Sequence, residues 1–182
     1  RVVGVDADPG ATGRLFVDSF HTVPMATKDP DGFAESLLET CGQESVDIVI
    51  PGADEEAYAL ADAKQRFEDA GVKCAVEDAE KLALARDKVR FLETLSARGV
   101  AVPGFSTVSS PGDLEEIAVR LGYPERRVIL KPRTGRGARG LLVLDAEAGA
   151  YSTGTEARGY GIGDVHRVAE HMSKEEDGPA MM

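Results

Sequence analysis

The stretch VILKPRTGRGARGLLVL, Val128–Leu144, sets two apolar runs, Val128–Leu130 and Leu141–Leu144, on either side of a glycine-rich basic loop. Gly135-Arg136-Gly137-Ala138-Arg139-Gly140 fits G-x-G-x-x-G literally. A dinucleotide-binding fingerprint needs a helix after its glycines, so that the helix N-terminus meets the pyrophosphate. The aliphatic run Leu141–Leu144 predicts a strand there instead. Strand, glycine loop, strand is the geometry of a β-hairpin flap. Gly135, Gly137 and Gly140 would let the backbone approach phosphate oxygens closely, while lysine and arginine supply countercharge. A protein-kinase loop shares this architecture but requires a lysine on the strand after the loop, then H-R-D and D-F-G segments. Lys131 precedes the loop, and His166-Arg167 is followed by Val168, so the kinase pattern fails.

The charge distribution points the same way. From Glu125 to Gly140, Arg126, Arg127, Lys131, Arg133, Arg136 and Arg139 stand against one acid, a local +5 within a chain of net charge −11. Nucleic-acid affinity rests on neutralising many phosphates, which an acidic protein disfavours. A concentrated basic loop in acidic surroundings predicts a small, highly charged anion as partner, with no nucleic acid. With 182 residues, 42% hydrophobic and 29% charged, the chain reads as one ordinary globular domain or two small ones. No apolar stretch approaches the ~20 residues of a membrane-spanning helix, and Arg1–Val5 reads as a strand rather than a secretory signal. Cys41 and Cys74 make neither a zinc pattern nor a disulfide framework. They are expected to act as small buried hydrophobes in a reducing cytoplasm.

Upstream, strands and helices alternate. Strands are predicted at Val2–Val5, Val46–Ile50 and Val72–Val76. A helix opening at Asp29–Gly32 carries Phe33, Leu37 and Leu38. A second, with Asp54 as its expected cap, carries Ala57, Leu60, Ala61 and Phe67 and ends at Gly71. This order predicts a parallel sheet with right-handed crossovers. The opening V-V-G-V-D-A-D-P reads as the second strand of a doubly wound unit, so a central strand and its helix are expected before Arg1. Downstream, Asp87 caps a helix through Val89, Leu92 and Leu95 to Gly99, and Phe105–Val108 is a strand. Ser110-Pro111-Gly112-Asp113 opens a helix with an apolar stripe of Leu114, Ile117, Ala118 and Leu121. Tyr151–Gly163 reads as a mobile loop, Asp164–Met172 as a helix, and Gly178-Pro179 as the start of another segment.

Between Asp87 and Leu144 the chain resembles the ATP-grasp superfamily, most closely the carbamoyl-phosphate synthase large chain and related carboxylate ligases. The matching text is A-R-D-K-V-R-F at Ala85–Phe91, V-P-G-F at Val102–Phe105, and L-G-Y-P…V-I-L-K-P-R-T-G-R-G-A-R-G at Leu121–Gly140. The resemblance implies an α/β fold in two parts. Residues 1–80 would be a parallel-sheet, Rossmann-like pre-ATP-grasp domain, and residues 81–182 the first part of an ATP-grasp fold bearing the hairpin flap. It implies ATP and Mg2+ as cofactors and a small-molecule carboxylate as substrate, activated as an acyl phosphate for attack by an amine or similar nucleophile. Lys131 would contact the ATP phosphates and Lys88 would reach them from the other side. Arg133, Arg136 and Arg139 would add countercharge, and Gly135, Gly137 and Gly140 would form the flap. The cluster Arg86, Lys88 and Arg90 opposes the dipole of the helix it opens, a placement that a bound anion would make favourable.

The resemblance makes Gly178–Met182 the start of the hinge strand and puts the adenine contacts and magnesium ligands outside this chain, so no catalytic residue and no metal ligand is assigned, and the chain is expected not to turn over alone. Two further readings stand beside the ligase: a non-catalytic nucleotide- or phosphate-binding regulatory module, and a plain α/β scaffold whose basic loop takes phosphate without preferring ATP. Asp6 and Asp8 are expected in a turn, His21, His166 and His171 as surface or structural residues, and Glu175–Asp177 as a solvated acidic turn.

Overall fold

The computed structural model describes residues 1–135, 141–146, 158–160 and 179–181. They fall into two compact units, Arg1–Ala83 and Leu84–Met182, each with its own core.

In the first unit, β1 (Val3–Asp6) pairs in parallel with β2 (Ser19–Thr22), with Val3 opposite Ser19. Between them, Asp6 accepts from the Asp8 amide and Asp8 from the Gly10 amide, both at 2.8 Å. These are side-chain turns of the kind expected for this cluster. α1 (Pro30–Glu44) begins where Asp29 accepts from the Gly32 amide at 2.9 Å, with proline at the start of the helix. A Cβ on Gly32 would lie 2.2 Å from an Asp29 carboxylate oxygen, so the cap itself calls for glycine there. β3 (Ile48–Val49) pairs in parallel with β4 (Lys73–Cys74), and α2 (Asp54–Asp69) joins them. Asp54 is not the cap of α2. Ala53 holds that position, and Glu56 reaches back to the Gly52 and Ala53 amides at 2.8 and 3.2 Å. A glutamate three residues in has the length to do this, whereas Asp54 is already inside the helix.

Phe33, Leu37 and Cys41 of α1 pack with Leu60, Ala63 and Phe67 of α2 over Val23, Val49 and Val72. Among the described residues, β1–β2 and β3–β4 are separate two-stranded sheets, and Ile48 remains 50% exposed. A short helix, α3 (Ala79–Arg86), follows.

In the second unit, α4 (Lys88–Ala97) starts at Asp87 as expected. A five-stranded sheet has the order β5 (Ser106–Thr107), β9 (Pro179–Met181), β6 (Val128–Pro132), β7 (Leu142–Leu144), β8 (Arg158–Tyr160). Only β7–β8 is parallel. β8 lies within Tyr151–Gly163, so three residues expected in a mobile loop form a strand. α5 (Pro111–Arg120) begins at Ser110, whose amide donates to Asp113 at 3.0 Å. Its stripe of Leu114, Ile117 and Ala118 is buried with Val108, Tyr123, Val128, Leu130, Leu142 and Leu144. The helix expected at Asp164–Met172, together with His166, His171 and Glu175–Asp177, lies outside the described residues.

Candidate nucleotide-phosphate site

Strand alternation builds the site. Val128, Leu130 and Pro132 of β6 are buried, which turns Ile129 and Lys131 to the opposite face, and Arg133 follows in a bend just beyond the strand. Pairing with β7 on one side and β9 on the other makes β6 an interior strand, so that face is a fixed platform. Val128 lies opposite Leu144 and Leu130 opposite Leu142, and these antiparallel arms bracket the glycine-rich loop. Gly135 has φ +103°, a backbone conformation that a side chain would strain. Arg136, Gly137, Arg139 and Gly140 lie outside the described residues.

Lys131 is half-buried, and burial pushes its ammonium below the usual lysine value. Among the described residues its side chain has no hydrogen-bonding or ionic partner. Arg133, two residues on, is anchored. Its Nε and Nη2 donate to the two carboxylate oxygens of Asp87 at 2.8 and 2.7 Å, a bidentate fork. That guanidinium holds the Asp87 carboxyl below its ordinary range. Asp87 also accepts from the Arg90 amide at 3.1 Å, capping α4.

Lys88 completes the junction. Its backbone N–H donates to the Arg133 carbonyl at 3.1 Å, and its Nζ donates to the Gly135 carbonyl at 3.0 Å. The first turn of α4 is thereby tied to the chain leaving β6. Lys88 and Lys131 stand near one strand end, together with an arginine neutralised by an aspartate. Arg127 is drawn off differently, since its Nε donates to the buried Asp145 at 2.7 Å across the hairpin arms. Lys88, Lys131, Arg133 and Gly135, expected at the phosphates of a nucleotide, thus lie near one strand end, while the partner roles of Asp87 and Asp145 escaped the sequence reading. The Asp87–Arg133 pair spans 46 residues, and no local spacing announces it.

Among the described residues, no three His, Cys, Asp or Glu side chains gather to hold a metal, and no helix is long and apolar enough to cross a membrane. Away from this junction, Glu44 at the end of α1 accepts from Ser19, His21 and Arg1, which lowers its carboxyl to about 2. His21 is thus part of a structural cluster in which one Glu44 oxygen meets both Ser19 Oγ and His21 Nε2.

Comparison with known proteins supports a relationship to the ATP-grasp proteins. Residues 1–75 match the family model described as PylC-like, N-terminal domain. The chain is 29% identical over 112 residues to the carbamoyl phosphate synthase large chain of Rubrobacter xylanophilus, covering 61% of this chain and 10% of that one. It is 33% identical over 111 residues to a probable alpha-L-glutamate ligase of Cellvibrio japonicus, covering 60% and 36%. A Campylobacter jejuni biotin carboxylase, solved as a β,γ-ATP complex, superposes with a TM-score of 0.64 at 19% identity, over 98% of this chain and 38% of that one. The chain therefore spans about a tenth of the synthase and just over a third of the ligase. The fold is the mixed α/β arrangement of the N-terminal region of such enzymes, with parallel strands in its first unit.

Proposed function

We propose that the chain supplies the ATP-phosphate-binding elements of an ATP-dependent ligase that activates a small carboxylate. The observation that carries this reading is Lys131: a half-buried cation, fixed on an interior strand, with no partner for its charge among the described residues. Burying an ammonium without a counterion is costly. A triphosphate would supply the missing charge, and Lys88 stands beside the same strand end to share it.

In the reaction, a carboxylate oxygen of the substrate attacks the γ-phosphorus of ATP and ADP leaves, giving an acyl phosphate. An amine or similar nucleophile then attacks the acyl carbon, and inorganic phosphate departs. The protein's part is to position the phosphates and neutralise charge as it shifts toward ADP. Mg2+ would share that neutralisation, but the described residues offer no cluster fitted to hold it, and no step is assigned to it.

Calorimetric titration with ATP and Mg2+, set against inorganic phosphate, tests the reading. ATP is expected to bind clearly more tightly than phosphate, and Lys131→Met to weaken it by roughly tenfold or more. Equal affinity for both anions, or an unchanged Lys131→Met variant, would sink it. Where turnover is seen, hydroxylamine should trap the acyl phosphate as a hydroxamate in proportion to ADP released.

A further inference from the structure

The ion pair between Asp87 and Arg133 is out of keeping with the site it adjoins. A surface meant for a polyanion gains nothing from a carboxylate at its edge, and an aspartate there repels phosphate. Asp87 nevertheless sits directly before Lys88 and takes both forked N–H groups of Arg133. The same junction is closed twice more, by the Lys88 amide on the Arg133 carbonyl and by Lys88 Nζ on the Gly135 carbonyl. We infer that Asp87 and Arg133 are positioning residues: their fork locks the start of α4 to the end of β6, so that Lys88 and Lys131 present their charges to one ligand.

Resting on the ATP-phosphate reading above, this inference assigns Arg133 a role other than direct countercharge. Arg133 is two residues from Lys131, in the bend that directly follows β6, so its anchoring fixes the local course of the chain after Pro132. Asp87 fixes the opposite partner, because one carboxylate both caps α4 and receives the guanidinium. Without the fork, Lys88 would keep its charge but lose its place. The fork requires guanidinium geometry, which an ammonium cannot reproduce.

The two roles predict opposite signs. If Arg133 were a phosphate ligand restrained by Asp87, then Asp87→Asn would release it, remove a negative charge and tighten ATP binding. As a positioning pair, Asp87→Asn weakens ATP binding by roughly five- to tenfold, the scale of one coupled contact. Asparagine still caps α4, so the variant is expected to retain wild-type circular dichroism and melting midpoint to within a few degrees.

The experiment is titration of ATP and Mg2+ into the 182-residue chain and into Asp87→Asn, Arg133→Gln, Arg133→Lys and the Asp87→Asn/Arg133→Gln double variant, with Lys131→Met as a separate control. Support requires that both singles weaken binding, that the double is no weaker than the worse single, and that Arg133→Lys fails to restore affinity although it keeps the charge. Unchanged or tighter binding in Asp87→Asn overturns the inference, as does additive loss in the double or full affinity in Arg133→Lys. Those outcomes leave the ATP reading standing if Lys131→Met still weakens binding. A wild-type chain that does not prefer ATP overturns the ATP reading, and the inference with it.

Discussion

Lys131 is half-buried, and the effect of that burial has a measurable sign. Burial lowers its pKa from the ordinary 10.5, so the folded chain holds this proton less tightly than the unfolded one. While both states are protonated, the buried ammonium subtracts from stability. That deficit disappears as pH rises through the lowered value towards 10.5. A phosphate ligand needs the charged form, so ATP affinity is expected to fall over the same alkaline window. Lys131→Arg, which stays charged there, should flatten the profile; calorimetry from neutral pH to about pH 10.5 reads both.

Glu44 shows the opposite case. Bonds from Ser19 and His21 hold its carboxyl at about 2, against an ordinary 4.5. Its contribution is fully present above 4.5 and is lost as pH falls towards 2. Urea midpoints of wild type and Glu44→Gln should therefore differ at neutral pH and converge through that acid window. A difference that persists unchanged at the acid end would mean the amide disrupts the cluster by something other than charge.

At the scale of elements, the helices depend on short local devices. Asp113 accepts the Ser110 amide at the start of α5, and that helix supplies Leu114, Ile117 and Ala118 to the second core. Asp113→Ala should cost about 1 kcal/mol, the usual worth of such a cap, seen as a lowered urea midpoint with an unchanged slope. These devices are why the helices were legible: Asp29, Asp87 and Ser110 each announce a start, and apolar residues at helical spacing name the buried face. The cap of α2 was misread because Asp54, nearer the strand, looked the more ordinary one. The strands were less legible. Ser19–Thr22 follows a turn cluster and mixes Ser, His and Thr with one phenylalanine, so no alternation marks it; parallel pairing with Val3–Asp6, sixteen residues earlier, makes it a strand. Arg158–Tyr160 is likewise held by pairing with Leu142–Leu144 and not by its own composition. In the candidate site, Lys131 and Lys88 were singled out from short stretches of sequence, through the resemblance those stretches carry. The Asp87–Arg133 fork was not, since it exists only once α4 and β6 meet.

For the whole molecule, the decisive fact is that two cores share no buried residue. Val23, Phe33, Leu60 and Phe67 belong to one cluster, and Val108, Leu114, Leu130 and Leu144 to the other. The candidate phosphate site lies wholly in the second, since Asp87, Lys88, Lys131, Arg133 and Gly135 all follow Ala83. We propose that the two units are separate cooperative domains, with binding vested in the second. Truncating a fully buried leucine costs about 2–5 kcal/mol through lost burial and the cavity left behind. Leu60 and Leu114 are both 0% exposed, which makes them a matched pair. Under hydrogen exchange followed by peptide, Leu60→Ala should raise exchange across α1 and α2 while leaving α5 and β6 at wild-type rates, and Leu114→Ala should do the reverse. ATP affinity should follow the second variant only. If Leu60→Ala loosens α5 and β6 as much as its own unit, the chain unfolds as one body, and the division into domains falls even though the two clusters remain distinct in the folded state.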